Sequence, residues 1–369
     1  EKSETTSAVS NPVDPSPDST APEGALAERL KQGVLPNTPG FMMSKNPVPV
    51  GDECRYGGSL AVAGIDKNAS GVLEESEVST SFAICDGTIE NIAKETFKKY
   101  AHSVGIVIIE GVFKVKGEGG FVSYQSGKSG GTGFVVANGV VATNGHVAAP
   151  SDVVQGSEKI TVYFPKTEYA AEQILAKGLP NFAGFAPSTK DFDAYKAAAV
   201  DLSPYSGKTA DSADLALLSV PGIENRAVIP LQENTISTAA GTNADLTDTG
   251  AKHAVNLGDG VFNINYSQVQ GPRLSVGTVT TIQTCGAWLL SASSSCLSEL
   301  KIPSSRRLLF WWGYGDHGGS GSPVFDRFGK VSAIFTFGSV PPDTFTAAGQ
   351  FVGDLQYWLS KPRVWRTLL

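Results

Sequence analysis

Cysteine, histidine and long apolar runs are all scarce in this sequence. The four cysteines, Cys54, Cys85, Cys285 and Cys296, stand at none of the spacings that hold zinc. They read instead as two local disulfides, Cys54–Cys85 around one compact segment and Cys285–Cys296 around one short loop. Spacing does not fix connectivity, and four free thiols are the alternative. Disulfides imply an oxidising compartment. No apolar run approaches the roughly 18 residues of a membrane-spanning helix. Basic blocks are missing too, and the net charge of -7 argues against nucleic acid as a partner. Long helical patterns are few. What is abundant is turn material, with 41 Gly and 21 Pro in 369 residues. With 41% hydrophobic residues beside it, this composition predicts a β-rich protein with a sizeable core.

Three pieces follow one another along the chain. Residues 1–50 read as a disordered tether, since Glu1 to Glu23 is dominated by Ser, Thr, Pro, Asp and Glu. Such a stretch buries too little surface to offset the entropy of ordering it. A short helical pattern, Leu26 to Leu30, follows it. The chain starts at Glu1 rather than Met, which reads as a processed or trimmed form. The tether is then a spacer between an export or anchoring signal and the folded part.

Residues 51–87 form a small Cys-flanked module around the run from Asp66 to Glu77. Asp66, Asn68, Ser70, Glu74 and Glu77 put oxygen side chains at positions 1, 3, 5, 9 and 12 of an EF-hand-like calcium loop. Gly71 takes the turn position, and Val72 supplies the carbonyl of position 7. Calcium needs six to eight oxygens around one point, and this spacing provides them. The usual helix before such a loop is not evident. The piece resembles Cys-flanked calcium-loop modules of bacterial surface proteins. It also reads as a solvated acidic turn whose side chains cap a helix.

Residues 88–369 carry the chemistry. Ile89, Ile92, Ala93 and Phe97 give an amphipathic helix pattern, and Ala347 to Leu359 reads as a terminal helix. Between them lie strand-like runs at 104–109, 132–136, 140–143, 160–164, 215–220, 276–282, 308–312 and 331–337. Residues 165–213 look like an inserted loop region.

The most specific segment is Gly318-Gly319-Ser320-Gly321-Ser322-Pro323. Its glycines let the backbone turn so that the N–H groups of Gly318 and Ser320 converge on one point, an oxyanion hole. By itself it is also a common Gly-Ser turn. The segment Thr132 to Val147 has the form strand, turn, strand, then Thr143-Asn144-Gly145-His146. Asp214 leads straight into the apolar run Leu215-Ala216-Leu217-Leu218, whereas the nearby Asp193, Asp201 and Asp211 do not.

Together these segments resemble the chymotrypsin/trypsin-like serine peptidases, in the order His, Asp, Ser. The resemblance covers roughly Ile89 to Trp358. It implies an all-β fold of two antiparallel β-barrels with a C-terminal helix, after the small N-terminal module. It makes His146 the general base, Asp214 its orienting partner and Ser320 the nucleophile. The implied activity is endopeptidase action on protein or peptide substrates through an acyl-enzyme, with no cofactor for catalysis. Structural calcium would belong to the N-terminal module. By the same resemblance Tyr314 and Gly315 lie at the base of the S1 pocket, and Thr336, Phe337 and Gly338 form one wall. No acid sits at the base, which argues against an Arg/Lys preference. One departure matters: Gly319 replaces the Asp that precedes the nucleophile where a freed N-terminus activates the enzyme. That places the sequence nearer the bacterial branch and points to a secreted or extracytoplasmic peptidase, anchored through the tether. Two other readings are an inactive homologue serving as a surface binding module and an adhesion protein whose calcium module is the working part.

Overall fold

The computed structural model describes residues 41–48, 58–67, 73–85, 89–166, 187–205, 212–232, 255–267, 272–288, 302–304, 306–313, 317–338 and 346–368. Two compact units divide the chain between Asp86 and Gly87. In the first, β1 (Phe41–Val48), β2 (Gly58–Ile65) and β3 (Val78–Cys85) form an antiparallel sheet in the order β1-β2-β3. This corrects the boundary of the tether. Residues 41–48 pair with β2 from Phe41↔Ile65 to Val48↔Gly58. The apolar start Phe41-Met42-Met43 and the β2 edge account for a strand where length and composition upstream suggested none.

The second unit begins with α1 (Ile89–Tyr100), which buries Ile92, Ala93, Thr96, Phe97 and Tyr100 on one face. Then come β4 (Val104–Lys116), β5 (Val122–Ala137) and β6 (Val140–Thr143). β4 and β5 pair without a break from Val104↔Phe134 to Lys116↔Val122. After the short helix α2 (Gly145–Ala148) follow β7 (Lys159–Pro165), β8 (Phe192–Lys196), β9 (Ala199–Asp201) and β10 (Ala216–Ser219). With β17 (Arg366–Thr367) they form an eight-stranded sheet, β17-β9-β10-β6-β5-β4-β7-β8. Its apolar face closes over Val107, Ile109, Val135, Val141, Val162, Phe164 and Leu218. The region 165–213 is therefore more than loop: it supplies β8 and β9. Its helix-like stretch, Glu168 to Ala176, lies outside the described residues.

The second half is a closed barrel, β11-β12-β13-β16-β15-β14. Its strands are β11 (Gly260–Asn265), β12 (Arg273–Thr284), β13 (Arg307–Trp312), β14 (Pro323–Phe325), β15 (Val331–Gly338) and β16 (Thr346–Phe351). The helix α3 (Cys285–Trp288) follows β12, and α4 (Val352–Leu359) follows β16. Val261, Val279, Leu309, Trp311, Val324, Phe335 and Phe351 fill the interior. The terminal helix is shorter than its pattern suggested, because residues 347–351 are strand. Closing the ring requires them, since β16 pairs with both β13 and β15. α4 is fastened by a buried ion pair, Arg306 to Asp354, at 2.9 Å.

The all-β architecture of two antiparallel halves is the chymotrypsin type. Among the described residues only the second half closes through an unbroken ring of paired strands; the first is a half-barrel sheet. Among the described residues, no helix is long and apolar enough to cross a membrane.

Candidate active site

Strand register brings Asp214 and His146 together. β10 runs antiparallel to β6 with Ala216 opposite Thr143. Asp214, just before β10, therefore lies beside the turn that leaves β6. The ring of Tyr205 covers that turn so closely that a Cβ on Gly145 would fall 2.1 Å from its Cγ. Only glycine fits there, and His146 follows it. Asp214 is fully buried and grips His146 twice. Its Oδ1 accepts the His146 main-chain N–H at 2.8 Å. Its Oδ2 faces the His146 Nδ1 at 2.6 Å. Burial pulls the imidazole pKa down, but the charge of Asp214 and this hydrogen bond outweigh it, so the pKa is raised. Two of the rival carboxylates are engaged elsewhere, and the third, Asp211, lies outside the described residues. Asp201 accepts from the Ser203 main chain and hydroxyl, and Asp193 pairs with Arg226.

The loop bearing Ser320 joins β13 to β14 and is sewn to β5. The Thr132 hydroxyl donates to Gly318 O at 2.7 Å, and the Thr132 N–H donates to Ser320 O at 2.8 Å. Gly318 and Gly321 both stand at φ +88°, the left-handed region that favours glycine. A Cβ on Gly321 would also lie 2.1 Å from Thr132 O, 2.5 Å from Thr143 Oγ1 and 3.1 Å from Asn144 N. The serine loop thus presses on the strand end that leads into His146. The Ser320 hydroxyl itself donates to Thr336 O at 3.2 Å.

That carbonyl is available because of a bulge. In the β15–β16 pairing Phe335 opposes Gly349 and Phe337 opposes Ala348, leaving Thr336 without a partner strand residue. Of the expected pocket wall, Thr336 is buried while Phe337 and Gly338 are partly exposed. Phe337 meets Phe310 edge-on at 6.5 Å. Tyr314 and Gly315 lie outside the described residues.

Two polar residues that the motifs do not flag complete the arrangement. Asn144 donates from Nδ2 to Asp214 O at 2.8 Å. Gln350, fully buried on β16, accepts the Asp214 N–H at 2.9 Å and donates to Asp214 O at 3.0 Å. The signal was a lone amide inside the apolar stretch Thr346-Ala347-Ala348-Gly349-Gln350-Phe351.

A family model described as a trypsin-like peptidase domain matches residues 131–334. The chain belongs to the trypsin-like peptidase family. The match takes in His146, Asp214 and Ser320 and leaves Gln350 outside it. A second family model, a domain of unknown function (DUF7151), matches residues 42–85. No curated protein matches the sequence. Among solved structures, the active form of the Rv3671c protease from M. tuberculosis is similar over 74% of this chain and 85% of its own, at 17% identity and a TM-score of 0.43. The HtrA-type protease AlgW with a decapeptide is similar over 74% of this chain and 67% of its own, at 13% identity and a TM-score of 0.44.

The other expected sites fall largely on residues that are not described. Asn68, Ser70 and Val72 are outside, leaving Asp66, Glu74 and Glu77 of the calcium loop. Glu77 is buried, and both its oxygens accept main-chain N–H groups, from Lys67 at 2.8 Å and Glu74 at 3.1 Å. These two bonds make Glu77 a clasp across the loop. No cluster of three or more His, Cys, Asp or Glu suited to a metal occurs among the described residues. Cys285 is fully buried and disulfide-bonded. Cys54 and Cys296 lie outside the described residues, so the pairing is not on view.

Proposed function

We propose that this trypsin-like peptidase is a serine endopeptidase that works through an acyl-enzyme. The observation that carries the reading is the double grip of Asp214 on His146, with the Ser320 loop fastened to β5 at Thr132, beside the strand end that leads into His146. In this reading the Ser320 Oγ rotates about Cα–Cβ from Thr336 O to the Nε2 of His146. It attacks the scissile carbonyl while His146 takes its proton. Asp214 holds the imidazole in the tautomer with Nδ1–H and stabilises the imidazolium that forms. The N–H groups of Gly318 and Ser320 receive the oxyanion. His146 then protonates the leaving amine, and water repeats the sequence to release the acid. The chemistry needs no metal.

Substrates are peptides in extended form, with Thr336, Phe337 and Gly338 along one wall of the pocket and Tyr314 and Gly315 at its base. A disulfide at Cys285 and the composition of residues 1–23 support an extracytoplasmic location. The pairings are Cys54–Cys85 and Cys285–Cys296. Calcium in the small module rests on the ligand spacing alone.

A peptide library incubated with wild type and with Ser320→Ala tests the reading. Cleavage should require Ser320, and its loss should cost on the order of 10⁴ in rate. Equal cleavage by both proteins would leave the inactive-homologue reading in its place, with a contaminant as the source of activity.

A further inference from the structure

Gln350 spans the two halves of the site. Its amide makes three hydrogen bonds: from Asp214 N to Oε1 at 2.9 Å, and from Nε2 to Asp214 O at 3.0 Å and to Thr336 Oγ1 at 3.3 Å. Asp214 carries the base. The carbonyl of Thr336 takes the hydroxyl of Ser320. One side chain, on a strand that supplies none of the proposed triad, thus ties the backbone of the acid to the bulged residue beside the nucleophile. With Asn144 on the same carbonyl, the N, O, Oδ1 and Oδ2 of Asp214 all have partners. The ladder cannot do this work, because Asp214 lies outside β10 and pairs with no strand. An amide suits the place for a chemical reason: it offers acceptor and donors together, as a backbone peptide does.

We infer that Gln350 is a positioning residue for the reaction, setting the acid–base pair against the nucleophile's strand. The inference rests on the serine peptidase reading. Loss of the amide should leave substrate contacts alone and misplace His146 against Ser320. Displacements of about 1 Å at such a site lower rates by roughly 100-fold. The effect belongs in kcat rather than KM.

A carboxyl at this position gives a specific signature. In a Gln350→Glu variant the protonated side chain keeps both bonds to Asp214, accepting from its N–H and donating to its carbonyl, and gives up only the donation to Thr336 Oγ1. Once ionised it loses the donor and faces a carbonyl with a buried negative charge. Its hydrogen bonds reach one titratable residue, Asp214, and through it His146; its strand neighbours Leu308 and Ile334 are apolar, and the charges on the adjoining elements, Arg306 and Asp354, are paired with each other.

The experiment measures the rate of labelling by a fluorophosphonate probe, per folded molecule, between pH 5 and 9. Wild type, Gln350→Leu, Gln350→Glu and Ser320→Ala are compared, with Val261→Ala as a core-destabilised control. Gln350→Leu should label about 10- to 100-fold more slowly than wild type at neutral pH. Gln350→Glu should approach wild type at the acid end and fall away as pH rises, where wild type gains. Val261→Ala should melt lower and label at the wild-type rate. Should Gln350→Leu fail to fold, the Gln350→Glu profile still decides. A Gln350→Leu rate equal to wild type, or a Gln350→Glu profile superposing on it, overturns the inference. A wild type that labels no faster than Ser320→Ala overturns the serine peptidase reading instead.

Discussion

Asp214 holds His146 by two different groups of the same residue, the main-chain N–H at 2.8 Å and the ring Nδ1 at 2.6 Å. The first fixes where the residue sits, and the second fixes which way its ring faces. The buried carboxylate also raises the imidazole pKa against the opposing effect of burial.

The first prediction is a pH profile. In the proposed mechanism neutral His146 is the base, so kcat/KM should rise with pH as the imidazole loses its proton. The acid limb should fall above the ordinary imidazole value of about 6.5. Asp214→Asn should shift that limb down while cutting the rate by about 10⁴. Asp201→Asn should leave both the limb and the rate near wild type. Steady-state rates on a cleaved library peptide measure all three.

Gly321→Ala should disable the enzyme without touching a reacting group. Both its positive φ and the 2.1 Å approach to Thr132 O forbid a Cβ. The loop must shift to admit one, and a displacement near 1 Å costs about 100-fold in rate. Fluorophosphonate labelling and melting temperature together should show a larger loss of rate than of fold.

Asp326 predicts a pH-dependent stability. Burial pushes its pKa up to about 6, although the N–H groups of Lys330 and Phe328 favour the charged form. The native state therefore holds a proton between about pH 4 and 6 that the unfolded chain has released. Stability from this group is largest below that window and declines as pH rises through it. Asp326→Asn should keep the two accepted N–H bonds and remove the charge. Denaturant unfolding at pH 7 should then show a gain on the order of 3 kcal/mol. No gain at pH 7 would mean that the carboxylate is ionised there at no cost.

In the small module, Glu77 separates two roles. As a clasp for the N–H groups of Lys67 and Glu74 it stabilises the loop with or without a cation. Glu77→Gln places an N–H₂ against an N–H donor and should cost about 1–3 kcal/mol. If calcium binds the loop as its spacing proposes, millimolar calcium should raise the module's melting temperature in wild type and much less in the variant. Melting that ignores both calcium and chelator removes the cation and keeps the clasp. Peptidase rates should be indifferent to chelator in either case.

The segments that bear the proposed triad were legible in the sequence because residues there answer to local chemistry. Gly321 is fixed by a turn and Asp214 by the strand it precedes; the ring that requires glycine at 145 belongs to Tyr205 and shows only in the folded chain. Gln350 was hidden because its partners come within its reach only by tertiary packing, Thr336 through the β15–β16 pairing and Asp214 where the two halves meet. The terminal helix was read too long at its start for the same reason. Ala347, Ala348 and Phe351 suit a helix face as well as a barrel strand buried on both sides, and only tertiary pairing decides. The strand at 41–48 likewise needed β2 to show itself.

Ser320 offers the most direct test of the proposed chemistry. Full-length protein treated with a fluorophosphonate and digested should yield one modified peptide, with the label on the hydroxyl of Ser320. Ser320→Ala should yield none, and His146→Ala should label at least about 10³-fold more slowly. Labelling on another residue, or undiminished labelling of Ser320→Ala, would contradict the assignment of the nucleophile and the mechanism built on it.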